Sequence, residues 1–291
     1  MQIGVQYRYR RCVMSEVNHD ETLQDTESAE KPQTKTSNIK PEKSHKKHRV
    51  FKIIGMVLGS IFLLAVLIAG WLGFVPGLSN LMGARTPKDL GVKWSEADFN
   101  SYKTKTNSTF LDFANAPDNP DKPGKKTVFS DPVNISDLNL TQEEITAAIN
   151  SLGWAWLPAK NVQVRLTNNT MEVSGNLVLD HIEDFVKFIG GVGYSDNDVS
   201  KAVNYGRTLA QGGSFYAKGS ASVIDNQLQF SLQNIQIGRL NIPLDTASNV
   251  IFTGGSNSIN NTPYLDIKSA TISDGSLNFT GTYPTTIYVK H

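Results

Sequence analysis

The stretch Gly213–Ile237, GSFYAKGSASVIDNQLQFSLQNIQI, decides the fold. Phe215, Ala217, Gly219, Ala221 and Val223 alternate with mostly polar residues, so an extended strand here has one apolar face. Asp225-Asn226 supplies two residues that tolerate positive φ, the requirement of a two-residue hairpin turn. Leu228, Phe230 and Leu232 return on the same face. The alternation slips at Gln233-Asn234 before Ile235 and Ile237, which predicts a β-bulge.

The same pattern recurs on both sides. Val162, Val164 and Leu166 run to a turn at Asn168-Asn169, and Met171, Val173, Gly175, Leu177 and Leu179 come back. Leu265, Ile267 and Ile272 lead to Asp274-Gly275, followed by Leu277, Phe279 and Gly281. These are three one-faced hairpins, and antiparallel sheets with one face on a core read this way.

Amphipathic helices lie between them. Ser95 and Asp98 open a short helix to about Lys105. Thr141 and Glu144 form a capping box for a helix to about Leu152, with Ile145, Ala148, Ile149 and Leu152 on one face. Asp180 with Glu183 reads as a third box, leading to Ile182, Phe185, Val186 and Ile189; Val199, Ala202, Val203 and Leu209 make a further stripe. The expected fold class is α+β, a curved antiparallel sheet wrapped over amphipathic helices, after a single N-terminal transmembrane helix.

That helix is read from Phe51–Val75, FKIIGMVLGSIFLLAVLIAGWLGFV, which carries no charge after Lys52 and has about the length that crosses a bilayer. Lys40, Lys43, Lys46, Lys47, Arg49 and Lys52 crowd its N-terminal side. Cationic flanks stay in the cytoplasm, so the N-terminus is expected inside and the C-terminal domain outside, on a single-pass cell-membrane protein. The apolar core is longer than that of a cleaved signal peptide, which favours a retained anchor; a cleavage site near Gly83-Ala84 is the other reading. The expected organisation is a disordered cytoplasmic tail (1–50), the transmembrane helix (51–75), a juxtamembrane connector with a short helix (76–130) and an extracytoplasmic α+β domain (131–291). Residues 1–13 differ in character from the run that follows, so Met14 is a second possible start.

Charge and cysteine narrow the function classes. The net charge is +1, and much of the Lys and Arg lies in the first fifty residues. A nearly neutral outer domain argues against nucleic acid, which needs clustered cations. The single cysteine, Cys12, lies in the tail, so the outer domain is held by its core and not by disulfides. N-x-Ser/Thr sequons at Asn107, Asn134, Asn139, Asn168, Asn260 and Asn278 are read as the product of an Asn- and Thr-rich composition.

Catalytic signals are weak. No HExxH, CxxC, GxSxG or Walker-type loop occurs. His181 is the one histidine within the outer domain other than the terminal His291; in Asp180-His181-Ile182-Glu183-Asp184, helix capping accounts for the acidic residues better than a metal does. Gly190-Gly191-Val192-Gly193 follows a helix and not a strand, so it reads as a C-cap and turn. Trp154 and Trp156 read as core plugs, with a membrane-dipping loop or lid as the other choice. No enzyme and no cofactor are expected.

The stretches LTQEEITAAINS, GSFYAKGSASVIDNQLQFSLQNIQIGRLNIP and LDIKSATISDGSLNFTGTYP resemble the YpmS-like and LmeA-like bacterial membrane-anchored envelope proteins. The shared features are the helix opening, the element Ile237-Gly238-Arg239-Leu240-Asn241-Ile242-Pro243, and the last hairpin with its Asp274-Gly275 turn; together they cover about residues 138–284. The resemblance implies an elongated, tubular lipid-binding (TULIP-like) fold with an apolar groove, and it supplies no catalytic residues. At Thr253–Asn261, TGGSNSINN, an amphipathic helix is expected by that likeness but the run is polar and glycine-rich.

Two functions follow. The first is a non-catalytic domain that binds a lipid or lipid-linked glycan of the cell envelope, with Ile145, Ile149, Phe185, Ile189, Phe215, Ala217, Gly219, Leu228 and Phe230 lining a groove. The second is an envelope scaffold or assembly factor acting through contacts with other envelope proteins. The membrane bilayer is an expected partner in both.

Overall fold

The computed structural model describes residues 46–119, 124–210 and 212–290. The chain divides into two units, Met1–Val50 and Phe51–His291. The expectations for the tail, including Cys12 and Met14, lie outside the described residues, as does His291.

The first long strand is preceded by α1 (Lys46–Leu72), α2 (Pro76–Leu81), α3 (Glu96–Thr106), β1 (Thr109–Asp112) and a 3₁₀ turn, Phe113–Asn115. Then come β2 (Phe129–Thr141), α4 (Gln142–Ser151), β3 (Ala159–Thr167), β4 (Thr170–Leu177), α5 (Ile182–Phe188) and α6 (Asp196–Ala210). The chain ends with β5 (Ser214–Ile224), β6 (Gln227–Ile237), β7 (Leu240–Asn241), α7 (Leu244–Asn261), β8 (Asp266–Ser273) and β9 (Ser276–Val289). The protein is α+β, with one open, largely antiparallel sheet.

The three hairpins form as their sequences dictate. Asn168 and Asn169 both have positive φ, as do Asp225 and Asn226, which is the geometry of primed turns. The bulge falls where the alternation slips: Lys218 faces Asn234 and Gly219 faces Leu232, leaving Gln233 over. One edge of β5 is shared, by β4 along Ser214–Ser220 and by β8 at Val223 and Ile224. β9 carries β2 along one edge, and β8 followed by a parallel β1 along the other. Neither β1 nor β2 was expected. In β2 the pairs Val133/Ile135 and Leu138/Leu140 are out of phase, because a register shift falls between Ile135 and Leu138.

The first edge strand is covered by a helix and not by a strand. α4 lays Gln142, Thr146 and Asn150 along β3. The amide of Leu166 donates to Gln142 Oε1 at 3.1 Å, that of Val164 to Thr146 Oγ1 at 3.0 Å, and that of Val162 to Asn150 Oδ1 at 3.0 Å. Asn150 Nδ2 donates back to the Val162 carbonyl at 2.7 Å. Four helical residues rise about 6.0 Å and two strand residues about 6.6 Å, so the two repeats stay in step. The next face of α4 brings Ile145 and Ile149 onto the buried cluster Val162, Val164, Leu166 and Ile272.

Glu144 then ties α4 to α3. It caps α4 by accepting from the Thr141 amide at 2.8 Å, and it is buried. Ser101 Oγ donates to it at 2.5 Å and Lys105 Nζ at 2.9 Å. Burial opposes its ionisation, but the bonds from Lys105, Ser101 and Thr141 and the Lys105 charge outweigh it, holding the carboxyl below its ordinary range.

The other face of β3, β4 and β5 is covered by residues 84–92. Asn176 Nδ2 donates to the Arg85 carbonyl at 2.8 Å, Ser214 Oγ to the Ala84 carbonyl at 2.9 Å, and the Leu90 amide to Gln163 Oε1 at 2.8 Å. Leu90 and Val92 pack with Tyr216, whose ring also carries Lys88 Nζ 3.8 Å from its centre. Below them, buried Glu172 accepts from Tyr216 Oη at 2.5 Å and pairs with Arg165. Burial and that bond push the Tyr216 hydroxyl up to about 12.

Two outcomes test this frame. Asn150→Leu leaves the Val162 amide and carbonyl without partners and should destabilise the fold by about 1–3 kcal/mol, with faster hydrogen exchange at Val162. Thermal unfolding and exchange read both. Glu144 contributes stability that is present above its unfolded value near 4.5 and is lost as pH falls through its lower folded value. Glu144→Gln should therefore flatten the acid limb of the unfolding midpoint plotted against pH.

Candidate functional site

α5 and α6 lie against each other after the short 3₁₀ turn Leu179–His181. Arg207 Nε on α6 donates to Asp180 at 2.8 Å, and Ser200 Oγ to Glu183 at 2.8 Å. The capping box expected of Asp180 and Glu183 is replaced by these ties. The turn places His181 at the cap of α5, with no side-chain cap bond, and Arg207 takes the Asp180 carboxylate. His181 Nδ1 lies 2.9 Å from the Leu157 carbonyl, and Asp184 is solvent-exposed, so the acidic cluster is spread over separate structural tasks. Among the described residues no group of His, Cys, Asp and Glu is placed to hold a metal.

The glycine run ends α5 as its position implies. Gly190, Gly191 and Gly193 all have positive φ, and the Gly191 amide returns to the Val186 carbonyl at 2.8 Å. Against this turn lies α7, and here the sequence expectation is corrected: TGGSNSINN continues the helix to Asn261. The polar residues are the reason it fits. Asn257 Nδ2 donates to the carbonyls of Gly190 (3.2 Å) and Gly191 (3.0 Å), and Asn261 Nδ2 to that of Ile189 (3.3 Å), satisfying the open end of α5. The glycines allow close approach on two sides. A methyl at Gly254 would sit 3.2 Å from Ile189 and Val192, and one at Gly255 would sit 2.9 Å from Leu228 on β6.

Between α5, α6 and α7 remains a cleft of about 470 Å³. Leu179, Ile182 and Val186 form one wall, and Val199, Ala202 and Val203 a second. Val192 and Tyr194 come from the glycine loop, Thr246 and Val250 from α7. One carboxylate, Asp198, reaches the lining, and it is engaged by Ser195 Oγ at 2.7 Å. The volume falls within the range of small-molecule sites, and the walls are nearly all hydrocarbon.

The nine residues expected to line a groove are placed elsewhere, and none of them lines this cleft. Ile145 and Ile149 pack on the β3 cluster, and Ile145 also borders a smaller cavity of about 170 Å³ with Met171, Ala221 and Leu277. Phe185 is half-buried and Ile189 is buried against Gly254. Phe215, Ala217, Gly219, Leu228 and Phe230 share one sheet face. Gly219 answers to the bulge, since a methyl there would meet the Ser231 carbonyl at 2.6 Å. Along this face Met171, Val173, Ala217, Phe230, Leu232, Ile235 and Ile237 are only half-buried, so it is apolar and incompletely covered.

Trp154 and Trp156 pack on Phe188 at the end of α5, with ring centres 5.3 and 5.5 Å away, and Phe129 and Phe113 extend the cluster. They fill the space beside α5, and both tryptophans are half-buried there.

No family model, no curated protein and no solved structure matches this chain.

Gly255→Leu should force α7 off β6 and cost about 1–3 kcal/mol by overpacking. A lowered unfolding midpoint with increased binding of a hydrophobic dye would report the loosened helix; unchanged values would mean that β6 yields instead.

Proposed function

We propose that this chain is a membrane-anchored extracytoplasmic domain that takes the acyl chain of a lipid or lipid-linked envelope component into the α5–α6–α7 cleft, without catalysis. The cleft carries the reading: its walls are apolar, it is open, and its one carboxylate, Asp198, is already engaged by Ser195. Ten methylenes buried there would contribute about 8 kcal/mol, enough for micromolar binding. The half-buried face of β4, β5 and β6 offers further apolar surface of the kind expected of a sheet wrapped over helices.

The anchor is argued from sequence and from exposure. Among the described residues no helix is long and apolar enough to cross a membrane, and the side chains of α1 are described from Met56 onward. Over that part Met56, Leu58, Phe62 and Leu63 are 60–76 % exposed, an arrangement that water disfavours and hydrocarbon accommodates. Together with the uncharged run Phe51–Val75 and its cationic N-terminal flank, this supports a single span with the domain outside. The resemblance to YpmS-like and LmeA-like envelope proteins points the same way. The second reading, an envelope scaffold, draws on the exposed Tyr205, Phe252 and Tyr264, which would suit protein contacts.

Photocrosslinking separates the two. The full chain in vesicles containing a phospholipid with a diazirine in its acyl tail should be labelled within 179–203 and 246–250. Ala202→Trp, which fills the cleft, should lower that labelling about tenfold while labelling of α1 persists. Labelling confined to α1 in both proteins would overturn the cleft reading and leave the scaffold.

A further inference from the structure

The junction between α1 and the domain is built as a lock. α2 folds back on the last turn of α1: Leu78 packs where a methyl on Gly70 would stand, only 2.3 Å from Leu78 Cδ2. Ser79, fully buried, accepts from the Val75 amide at 3.1 Å. The turn between β6 and β7 then grips the same helix end. Gly238 approaches so closely that a methyl there would lie 2.4 Å from the Leu72 carbonyl. Arg239 closes three carbonyls: its amide donates to Leu72 at 3.3 Å, Nη1 to Trp71 at 3.3 Å and Nη2 to Met82 at 2.8 Å. Its guanidinium also lies 5.1 Å from the Trp71 ring centre. A cation at a helix C-terminus is held by the unpaired carbonyls and by the helix dipole.

Around this lock three large apolar side chains face solvent, next to the exposed Asn80, Asn241 and Asp245. Leu81 is 85 % exposed on α2, and Leu240 and Leu244 are each 40 % exposed on β7 and at the start of α7. Trp71, half-exposed beneath the Arg239 guanidinium, is of the residue type that sits at bilayer interfaces. Within the first two turns of α7 after Leu244, Thr246 and Val250 line the cleft.

We infer that Leu81, Leu240 and Leu244 form a membrane-seating surface. With Arg239 at the headgroup level, the domain rests on the outer leaflet in one orientation, and the α7 wall of the cleft starts at the bilayer surface. The occupant of this surface is the lipid interface, because the surface is continuous with the end of the apolar helix α1. The inference rests on the proposed anchor and gives the proposed cleft a direct route for an acyl chain.

The test uses the full chain with Cys12→Ser, reconstituted in vesicles of phosphatidylethanolamine and phosphatidylglycerol. Spin labels are placed in turn through Leu81→Cys, Leu240→Cys and Leu244→Cys, with Asn168→Cys on the β3–β4 turn as reference. Oxygen, which partitions into the bilayer, should dominate collisions at the first three positions, and a water-soluble nickel chelate at Asn168. Adding Gly238→Val should return positions 240 and 244 to the pattern of Asn168 while the label at 81 keeps its own. Nickel-dominated collisions at 81, 240 and 244 in the unaltered junction would overturn the seating surface. Diazirine-lipid labelling on the same vesicles keeps the two readings apart. Seated labels without cleft labelling support the surface and remove lipid binding in the cleft; cleft labelling with water-exposed labels removes the surface and keeps the cleft.

Discussion

The ladder of Gln142, Thr146 and Asn150 on the edge of β3 is the constraint on which the domain depends. An exposed sheet edge invites pairing with another chain, and a helix usually covers such an edge without satisfying it. Here the side-chain groups take the place of a neighbouring strand's backbone. The Gln142 end of the ladder is fixed twice over: Gln142 also donates its backbone amide to the Gly275 carbonyl in the β8–β9 turn, and the Gly275 amide donates to the Leu166 carbonyl. α4 thus sets the distance between the first hairpin and the last. Glu144 extends the same registration to α3, so one ten-residue helix positions a strand edge, a turn and a second helix.

A second theme is that the polar and small residues of this chain are used where elements must come very close. Gly70, Gly73 and Gly238 bring α1, α2 and the β6–β7 turn together, and Gly254 and Gly255 let α7 fit between the α5 turn and β6. A glycine inside a helix costs about 1 kcal/mol relative to alanine. That cost is offset by the packing it permits on either side and by the three carbonyls that Asn257 and Asn261 satisfy.

This explains what was legible in the sequence. The hairpins could be read because turn chemistry and alternation agree, and Asn168-Asn169, Asp225-Asn226 and the Gln233 bulge all fall where those rules place them. The helix 244–261 was obscured, since Thr253–Asn261 is a poor helix by propensity and is held by tertiary contacts that local rules do not contain. β2 was hidden by its out-of-phase alternation. The cleft was hidden for a different reason. Val199, Ala202 and Val203 were visible as a helical stripe, yet a stripe facing a core and one facing a cleft have the same spacing. What separates them is whether a third element closes the space, and α7 with its small residues reaches α5 without filling it.

The order of elements along the chain gives the geometry its consequence. β6 ends at Ile237, Gly238-Arg239 grip the end of α1, β7 is two residues long, and α7 begins at Leu244. Few residues separate the grip from the cleft, so little slack lies between the point where α1 is held and the helix that walls the apolar space. A hairpin whose other end is fixed by β4 and β8 cannot swing α7 away without breaking that grip. The same short connection that makes Arg239 a lock therefore also sets where the cleft stands relative to the end of α1, and a flexible linker in its place would lose both.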